Sequence, residues 1–395
     1  MLSLIKQPVT GKRVLVRADF NVSFESDGKT IADDFRIRAA LPTIQWLCDQ
    51  GAKVVLMSHL GRPIGGKEEQ KTLEPIAKYL AKCLKKPVLC ASDCVGSDVE
   101  DDVLAMQNGD VIMLENLRFH KGETENDPIF AKKLARLGEA YVNDAFGVSH
   151  RAHASVSAIT KFLPAYTGFL LEKELETLSG VLTKPKKPLV LVIGGAKIET
   201  KLPIIKNLLP QASKVLVGGA VANTFFAAKG LGVGASKIET EFIPHAKRIL
   251  KSSRIVLPSD VLATPNPLGR ARIKFRSVRT VRDGEMILDI GPKTTEQFAQ
   301  IITKAATVVW NGPMGLFEIP AFAHGTIDLA RAIGAADGFS IVGGGETVTL
   351  LRKLKLESKI TYISTGGGAM LEFLGGKKLP GLEALGYYRK ARSRK

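Results

Sequence analysis

The sequence predicts an α/β protein of two Rossmann-like domains with parallel sheets, joined by a helix and hinge across a central cleft. Three observations carry this reading. Short β-branched runs alternate with helix-period segments from one end of the chain to the other, which is the pattern of parallel strands covered by helices. A stretch rich in proline and lysine breaks that alternation near the middle. Each half also places polar or glycine-rich turns directly after its strand-like runs.

In the first half the strand-like runs lie at 13–16, 53–57, 110–114 and 140–142. In the second they lie at 189–193, 214–217, 254–257, 307–310, 339–342 and 361–363. Between them, segments such as 73–85 and 130–137 carry apolar residues at three- and four-residue steps, the spacing of one helix face. A longer helical pattern, 169–182, leads into Thr183-Lys184-Pro185-Lys186-Lys187-Pro188, whose two prolines and three lysines do not suit a buried element. The domain junction is expected there, with the helix connecting the halves. No internal repeat is visible.

At 395 residues and 45% hydrophobic content, the chain is long enough for two well-cored domains. Its 56 Lys and Arg exceed its 39 Asp and Glu, for a net charge of +17. Apart from the tail Arg389-Lys390-Ala391-Arg392-Ser393-Arg394-Lys395, these cations are dispersed, which suits a positive field attracting acidic substrates better than a polynucleotide site. Cys48, Cys83, Cys90 and Cys94 form no CxxC pair and read as free thiols of a reducing cytosol. No apolar run reaches the ~20 residues of a membrane span, and the start lacks a signal-peptide pattern, so a cytoplasmic location is expected.

The two halves carry different chemistry. Ser58-His59-Leu60-Gly61-Arg62-Pro63, Glu115 to Gly122 and Asn143 to His153 set arginines beside turn-forming residues, each after a strand-like run. They would gather cations at one edge of a parallel sheet, where open α/β sheets bind ligands. The second half has glycine turns at strand ends: Gly194-Gly195-Ala196-Lys197, Gly218-Gly219-Ala220, Gly343-Gly344-Gly345-Glu346-Thr347 and Gly366-Gly367-Gly368. Glycines let backbone N–H groups approach phosphate closely, so four such turns point to a nucleotide. There is no GxxxxGK[ST], and no GxGxxG with an acidic residue about 20 positions on, which argues against a P-loop enzyme and a dinucleotide oxidoreductase.

The stretches RADFNV, DDFRIR, SHLGRP, ENLRFHKGE, NDAFGVSHRAHAS, GGAKIETK, WNGPMGLFE and STGGGA, in this order across the whole chain, resemble phosphoglycerate kinase. The resemblance implies reversible phosphoryl transfer between ATP and the carboxylate of 3-phosphoglycerate, giving ADP and 1,3-bisphosphoglycerate. It implies Arg36 and Lys197 as catalytic residues, acting on the moving group from the acceptor and nucleotide sides. His59, Arg62, Arg118 and Arg151 would hold the 3-phosphate, Asp19 and Asn21 would orient the hydroxyl and carboxylate end, and Phe20, Leu60 and Gly61 would shape those loops. Lys201 would bind ATP phosphates. Gly195, Ala196, Gly218, Gly219 and Leu316 would wall the adenine slot, Asn311 and Glu318 would reach the ribose and phosphates, and the turn Gly344, Gly345, Glu346, Thr347 would cap the terminal phosphates. Magnesium would arrive with the nucleotide, beside Glu346. The implied domains are 1–168 for phosphoglycerate, 169–185 as helix and linker, 186–370 for nucleotide, and 371–395 packing back on the first. A monomer with no nucleic-acid or membrane partner is expected, its cleft closing over both ligands.

Four positions depart from the family pattern. Glu346 replaces a usual aspartate, Ser23 a proline, Phe35 a small polar residue before Arg36, and Ile287 a glycine against the base. Asp33 and Asp34 read as orienting Arg36 or capping a helix, and His150 and His153 as supporting hydrogen bonds rather than a metal pair. Two rival readings are a related small-acid kinase and a nucleic-acid-binding protein using the basic surface.

Overall fold

The computed structural model describes residues 2–63, 71–268 and 273–389, so the basic tail from Lys390 lies outside the described residues. The chain divides into two compact units, Met1–Glu176 with Lys378–Lys395, and Thr177–Lys377. The division falls inside the helix Phe169–Thr183 rather than at the proline-lysine stretch that follows it.

In the first unit, strands β1 (Arg13–Arg17), β2 (Lys53–Met57), β3 (Leu89–Cys90), β4 (Val111–Met113), β5 (Ala140–Asn143) and β6 (Ala165–Thr167) form one parallel sheet in the order β3-β4-β2-β1-β5-β6. Leu15 at its centre pairs with Val55 on one side and Tyr141 on the other. Val14, Leu15 and Val16 are wholly buried, as are Val54 to Met57. Such unbroken apolar runs are what a sheet covered on both faces requires. The helix Phe35–Asp49 buries Ile37, Ala40, Ile44 and Leu47, spaced to share one face. The two short edge strands β3 and β6 have no counterpart among the expected runs. The segment from Lys378 belongs to this unit, where Gly381 N–H donates to Ser149 O at 2.9 Å. A side chain at Gly381 would meet Ser149 Cα at 3.0 Å, so glycine permits the close approach.

The second unit contains β7 (Leu189–Ile193), β8 (Lys214–Val217), β9 (Ile255–Val256), β10 (Asp260–Thr264), β11 (Lys274–Ser277), β12 (Met286–Ile290), β13 (Thr307–Asn311), β14 (Phe339–Gly343) and β15 (Tyr362–Ile363). Six form a parallel sheet, β15-β14-β13-β7-β8-β9. The other three make an antiparallel sheet, β11-β10-β12, which the sequence reading lacks. Trp310 lies wholly buried in β13, packed among Val192, Phe298, Leu329 and Val342 in one apolar cluster, and its Nε1–H donates to Gly312 O at 2.9 Å. Trp310→Ala is therefore expected to cost about 3–5 kcal/mol of stability, read from the midpoint of urea unfolding.

Both parallel sheets reverse their direction of growth beside the first strand of the unit. From β1 the chain adds β2, β4 and β3 on one side, then crosses to β5 and β6 on the other; from β7 it adds β8 and β9, then crosses to β13, β14 and β15. A crevice opens outside the carboxyl ends of strands at such a switch point, and the loops singled out in the sequence leave those ends.

Candidate active site

In the first unit, β1 runs into Asp19-Phe20-Asn21, β2 into Ser58 to Arg62, β4 into Glu115 to Arg118, and β5 into Asp144 to Arg151. The loops are tied to one another. Phe20 N–H donates to Ser58 Oγ at 2.9 Å, and Gly61 N–H donates to Asn21 Oδ1 at 2.8 Å. Asn116, wholly buried, accepts from Leu60 N–H at 3.2 Å and Arg118 N–H at 3.1 Å through Oδ1, and donates to Leu60 O at 2.9 Å through Nδ2. The Arg118 guanidinium donates to Gly61 O. Gly61 itself sits at φ +61°, a conformation glycine adopts without strain.

These ties fix a concentration of positive charge. Arg36 donates to both oxygens of Asp19, at 3.2 and 3.1 Å, and to Asn21 O at 3.2 Å. Asp33 Oδ1 accepts from Phe35 N–H at 2.9 Å at the start of the helix, while Asp34 pairs with Arg38 and Tyr79. Burial pushes Arg118 down to about 10, helped by repulsion from Arg151, Arg17 and Arg62. Arg151 is lowered by burial and by Arg62, Arg17 and Arg36. His59, 3% exposed, is held well below its usual value by burial and then by Arg17, Arg118, Arg151 and Arg36. Arginines that depress one another in this way are arranged for an anion, whose arrival removes the repulsion. Arg62 is exposed, and Leu60 and Phe20 are buried beneath the loops.

Glycine turns lie at the corresponding ends in the second unit. Gly218 caps the helix Gly219–Ala228, and Gly344 caps Gly345–Lys353. A side chain at Gly219 would meet Gly195 N at 2.7 Å and Pro313 O at 2.8 Å, so the turns after β7, β8 and β13 interlock at backbone distance. Beside them is a cavity of about 250 Å³, lined by Gly195, Ala196, Gly219, Ile287, Leu316, Glu318 and Glu346 among others, mostly apolar. An apolar cavity with a few polar groups in its lining suits a nucleotide base and its sugar.

Lys201 caps the helix Leu202–Leu208, with Pro203 in the first turn. It is 8% exposed, its ammonium donates to Asn311 Oδ1, and burial lowers it to about 8 against the opposing pull of Glu346. Asn311 is buried and donates to Gly343 O at 2.7 Å, joining Lys201 to the turn after β14. In that turn Gly344 is at φ +102° and Gly345 faces open space, while the buried Thr347 hydroxyl accepts from Gly312 N–H at 3.0 Å. Thr347 thus braces the turn from within. Lys197 is exposed and, among the described residues, has no ion-pair partner. Glu346, exposed in the first helical turn, offers a hard carboxylate oxygen at the cavity, the donor type that suits a magnesium ion.

Sequence reasoning assigned no role to Arg17 or Asn116, although both stand inside its motifs. Arg17 is wholly buried despite its charge, and Asn116 organises two loops at once. The spacing of neither gives this away. Cys48, Cys83, Cys90 and Cys94 are free thiols, as expected. No helix among the described residues is long and apolar enough to cross a membrane.

Comparison with known proteins gives the same picture across the chain. The profile described as "Phosphoglycerate kinase" matches residues 5–377. A phosphoglycerate kinase of Moorella thermoacetica is 49% identical over 389 residues, covering 97% of this chain and 98% of that protein. A chloroplastic phosphoglycerate kinase of Volvox carteri is 45% identical, covering 96% and 84%. Among solved structures, phosphoglycerate kinase from Coxiella burnetii superposes with a TM-score of 0.86 at 40% identity, covering 98% of this chain and 100% of that one. The Pyrococcus horikoshii enzyme gives 0.86 at 35% identity, covering 98% of each. With parallel sheets, arginine loops and glycine turns in place, the chain belongs to the phosphoglycerate kinase family.

Proposed function

We propose that the chain catalyses reversible transfer of the terminal phosphoryl group of ATP to the carboxylate of 3-phosphoglycerate, giving ADP and 1,3-bisphosphoglycerate. The observation that carries this reading is the arginine cluster around His59, whose mutual repulsion calls for a small polyanion. In the forward direction a carboxylate oxygen bonds to the γ-phosphorus while the bond to the β-phosphate oxygen breaks, and the electron pair leaves with ADP. With a pKa of about 3.5 the acceptor is already ionised at neutral pH, so no general base is required. The protein's part is positioning and charge stabilisation.

Arg62, Arg118, Arg151 and His59 hold the 3-phosphate, and Asp19 and Asn21 orient the hydroxyl and carboxylate end. Arg36, fixed by Asp19, reaches the acceptor carboxylate and the moving phosphoryl group. In the second unit Gly195, Ala196, Gly218, Gly219 and Leu316 wall the base, with Asn311 and Glu318 toward the ribose and phosphates. Lys201 binds the phosphates, Lys197 reaches the transferring group, and the Gly344 to Thr347 turn lies against the terminal phosphates. Glu346 would hold a magnesium ion brought with the nucleotide, which when bound neutralises charge on the phosphate oxygens. The reading includes a monomer in the cytoplasm.

The acceptor is tested by comparing 3-phosphoglycerate with glycerate. Without its 3-phosphate the acid leaves the arginine cluster uncompensated, so kcat/KM is expected to fall by about 10⁴ or more. Equal use of both acids would favour the small-acid-kinase reading.

A second expectation follows from Lys201. Its folded value of about 8 means that near pH 8 about half the ammonium groups have lost their proton, and phosphates beside it restore the charged form. Nucleotide binding near pH 8 should therefore take up about half a proton, and affinity should weaken as pH rises further. Calorimetry in two buffers of different ionisation enthalpy reads this uptake. The Lys201→Met variant should abolish it.

A further inference from the structure

Arg17 ends β1 with its side chain wholly buried, beneath the loops that carry the arginine cluster. Its Nε–H donates to Ser155 Oγ at 2.8 Å, and its NH1 donates to Ala18 O. Its NH2 lies 3.2 Å from His59 Nδ1. A guanidinium has donors and no acceptor, so the partner nitrogen must offer a lone pair. Nδ1 of His59 is then unprotonated, and the ring proton sits on Nε2. Among the described residues Nε2 takes no hydrogen bond.

The guanidinium is itself held from behind. Glu123, wholly buried, lies 3.9 Å from Arg17 NH2, accepts from Ser155 Oγ at 2.6 Å and Ser155 N–H at 2.9 Å, and stands 3.6 Å from His153 Nδ1. Burial alone would raise the Glu123 carboxyl, but His153, Arg17 and Ser155 together bring it below its usual value. An ionised Glu123 and a charged Arg17 thus form a buried pair whose remaining polar atoms are largely satisfied. Such a pair is costly to bury and fixes orientation when complete.

We infer that Arg17, anchored by Glu123 and Ser155, is a positioning residue that locks His59 as the neutral Nε2–H tautomer, aimed to donate to the 3-phosphate. This rests on the functional reading above and names how its histidine works. The charge at the phosphate then comes from Arg62, Arg118 and Arg151, while His59 supplies a directed hydrogen bond. The other charged groups acting on His59, namely Arg36, Arg118 and Arg151, all oppose a second ring proton, as does burial. At neutral pH His59 should therefore act through its neutral ring.

Nitrogen-15 NMR of histidine-labelled protein without substrate tests this directly. The expected His59 signature near neutral pH, about 7, is an unprotonated Nδ1 and a protonated Nε2. A proton on Nδ1 at that pH overturns the proposal whether or not the protein turns over 3-phosphoglycerate. The paired variant Arg17→Met with Glu123→Gln removes both buried charges together, which protects the fold, and leaves Nδ1 without its donor. His59 should then show a mixture of tautomers, with KM for 3-phosphoglycerate raised about tenfold and kcat much less affected. Arg17→Lys, which keeps a donor and a charge, should recover part of both. A folded paired variant with the parent tautomer and the parent KM refutes the positioning role. Failure of the parent to use 3-phosphoglycerate, with the tautomer as expected, refutes the functional reading alone.

Discussion

Arg36→Ala is expected to lower kcat about a thousandfold, with a smaller rise in KM for 3-phosphoglycerate. Removing a cation aimed at a transferring phosphoryl group costs this much in other phosphotransferases, and a thousandfold corresponds to about 4 kcal/mol of transition-state stabilisation. The geometry explains why the loss should fall on kcat. Arg36 does not belong to the loops that carry Arg62, Arg118 and Arg151. It comes from the first turn of the helix Phe35–Asp49 and is aimed by Asp19 and the Asn21 carbonyl, at the end where the acceptor carboxylate would lie. The change also leaves Asp19, 7% exposed, without its ion-pair partner and close to an anionic acceptor. Arg36→Lys should recover little, because NH1 alone meets Asp19 and the Asn21 carbonyl and leaves the rest of the guanidinium for the substrate, whereas a single ammonium would have to serve both. Steady-state kinetics over both substrates separates the effects. An equal loss expressed wholly in KM would place Arg36 in ground-state binding.

Lys197→Ala should lower kcat by about a hundredfold or more while leaving the KM for ATP nearly unchanged. Lys197 follows the Gly194-Gly195-Ala196 turn, is exposed, and among the described residues has no ion-pair partner, so the protein does not use its charge for stability. The unfolding free energy of the variant should accordingly stay within about 0.5 kcal/mol of the parent. Lys201 is the contrast. It is buried against Asn311 and caps a helix, so its loss should weaken nucleotide binding and disturb the fold locally. If Lys197→Ala instead changed KM with kcat intact, Lys197 would be a binding residue and the transition-state assignment would fail.

Much of the scaffold was legible because its strands are continuous apolar runs ending in turns. Residues 53–57 and 189–193 coincide with β2 and β7, and the helical pattern 169–182 appears as Phe169–Thr183. What escaped has identifiable causes. β3 is two residues long at a sheet edge, and β11 is Lys-Phe-Arg-Ser with largely exposed side chains, so neither leaves an apolar signature. The antiparallel sheet exists through long-range pairs such as Val261 with Arg276 and Val261 with Ile290, which no local pattern contains. At the candidate site, the clustering of Arg62, Arg118 and Arg151 was readable because each stands in a loop after a strand. Arg17 was not, because an arginine within a strand reads as exposed, whereas burial here depends on Glu123 and Ser155 from distant parts of the chain. Asn116 was hidden likewise: its bonds to Leu60 and Lys71 cross from one loop to another. Ile287, one of the departures from the family pattern, lies on the cavity wall.

The most direct test is a coupled assay for 1,3-bisphosphoglycerate formation by the purified chain with ATP, magnesium and 3-phosphoglycerate. Turnover is expected to require all three and to reverse when ADP and 1,3-bisphosphoglycerate are supplied. A folded protein that binds both ligands yet transfers no phosphoryl group in either direction would contradict it.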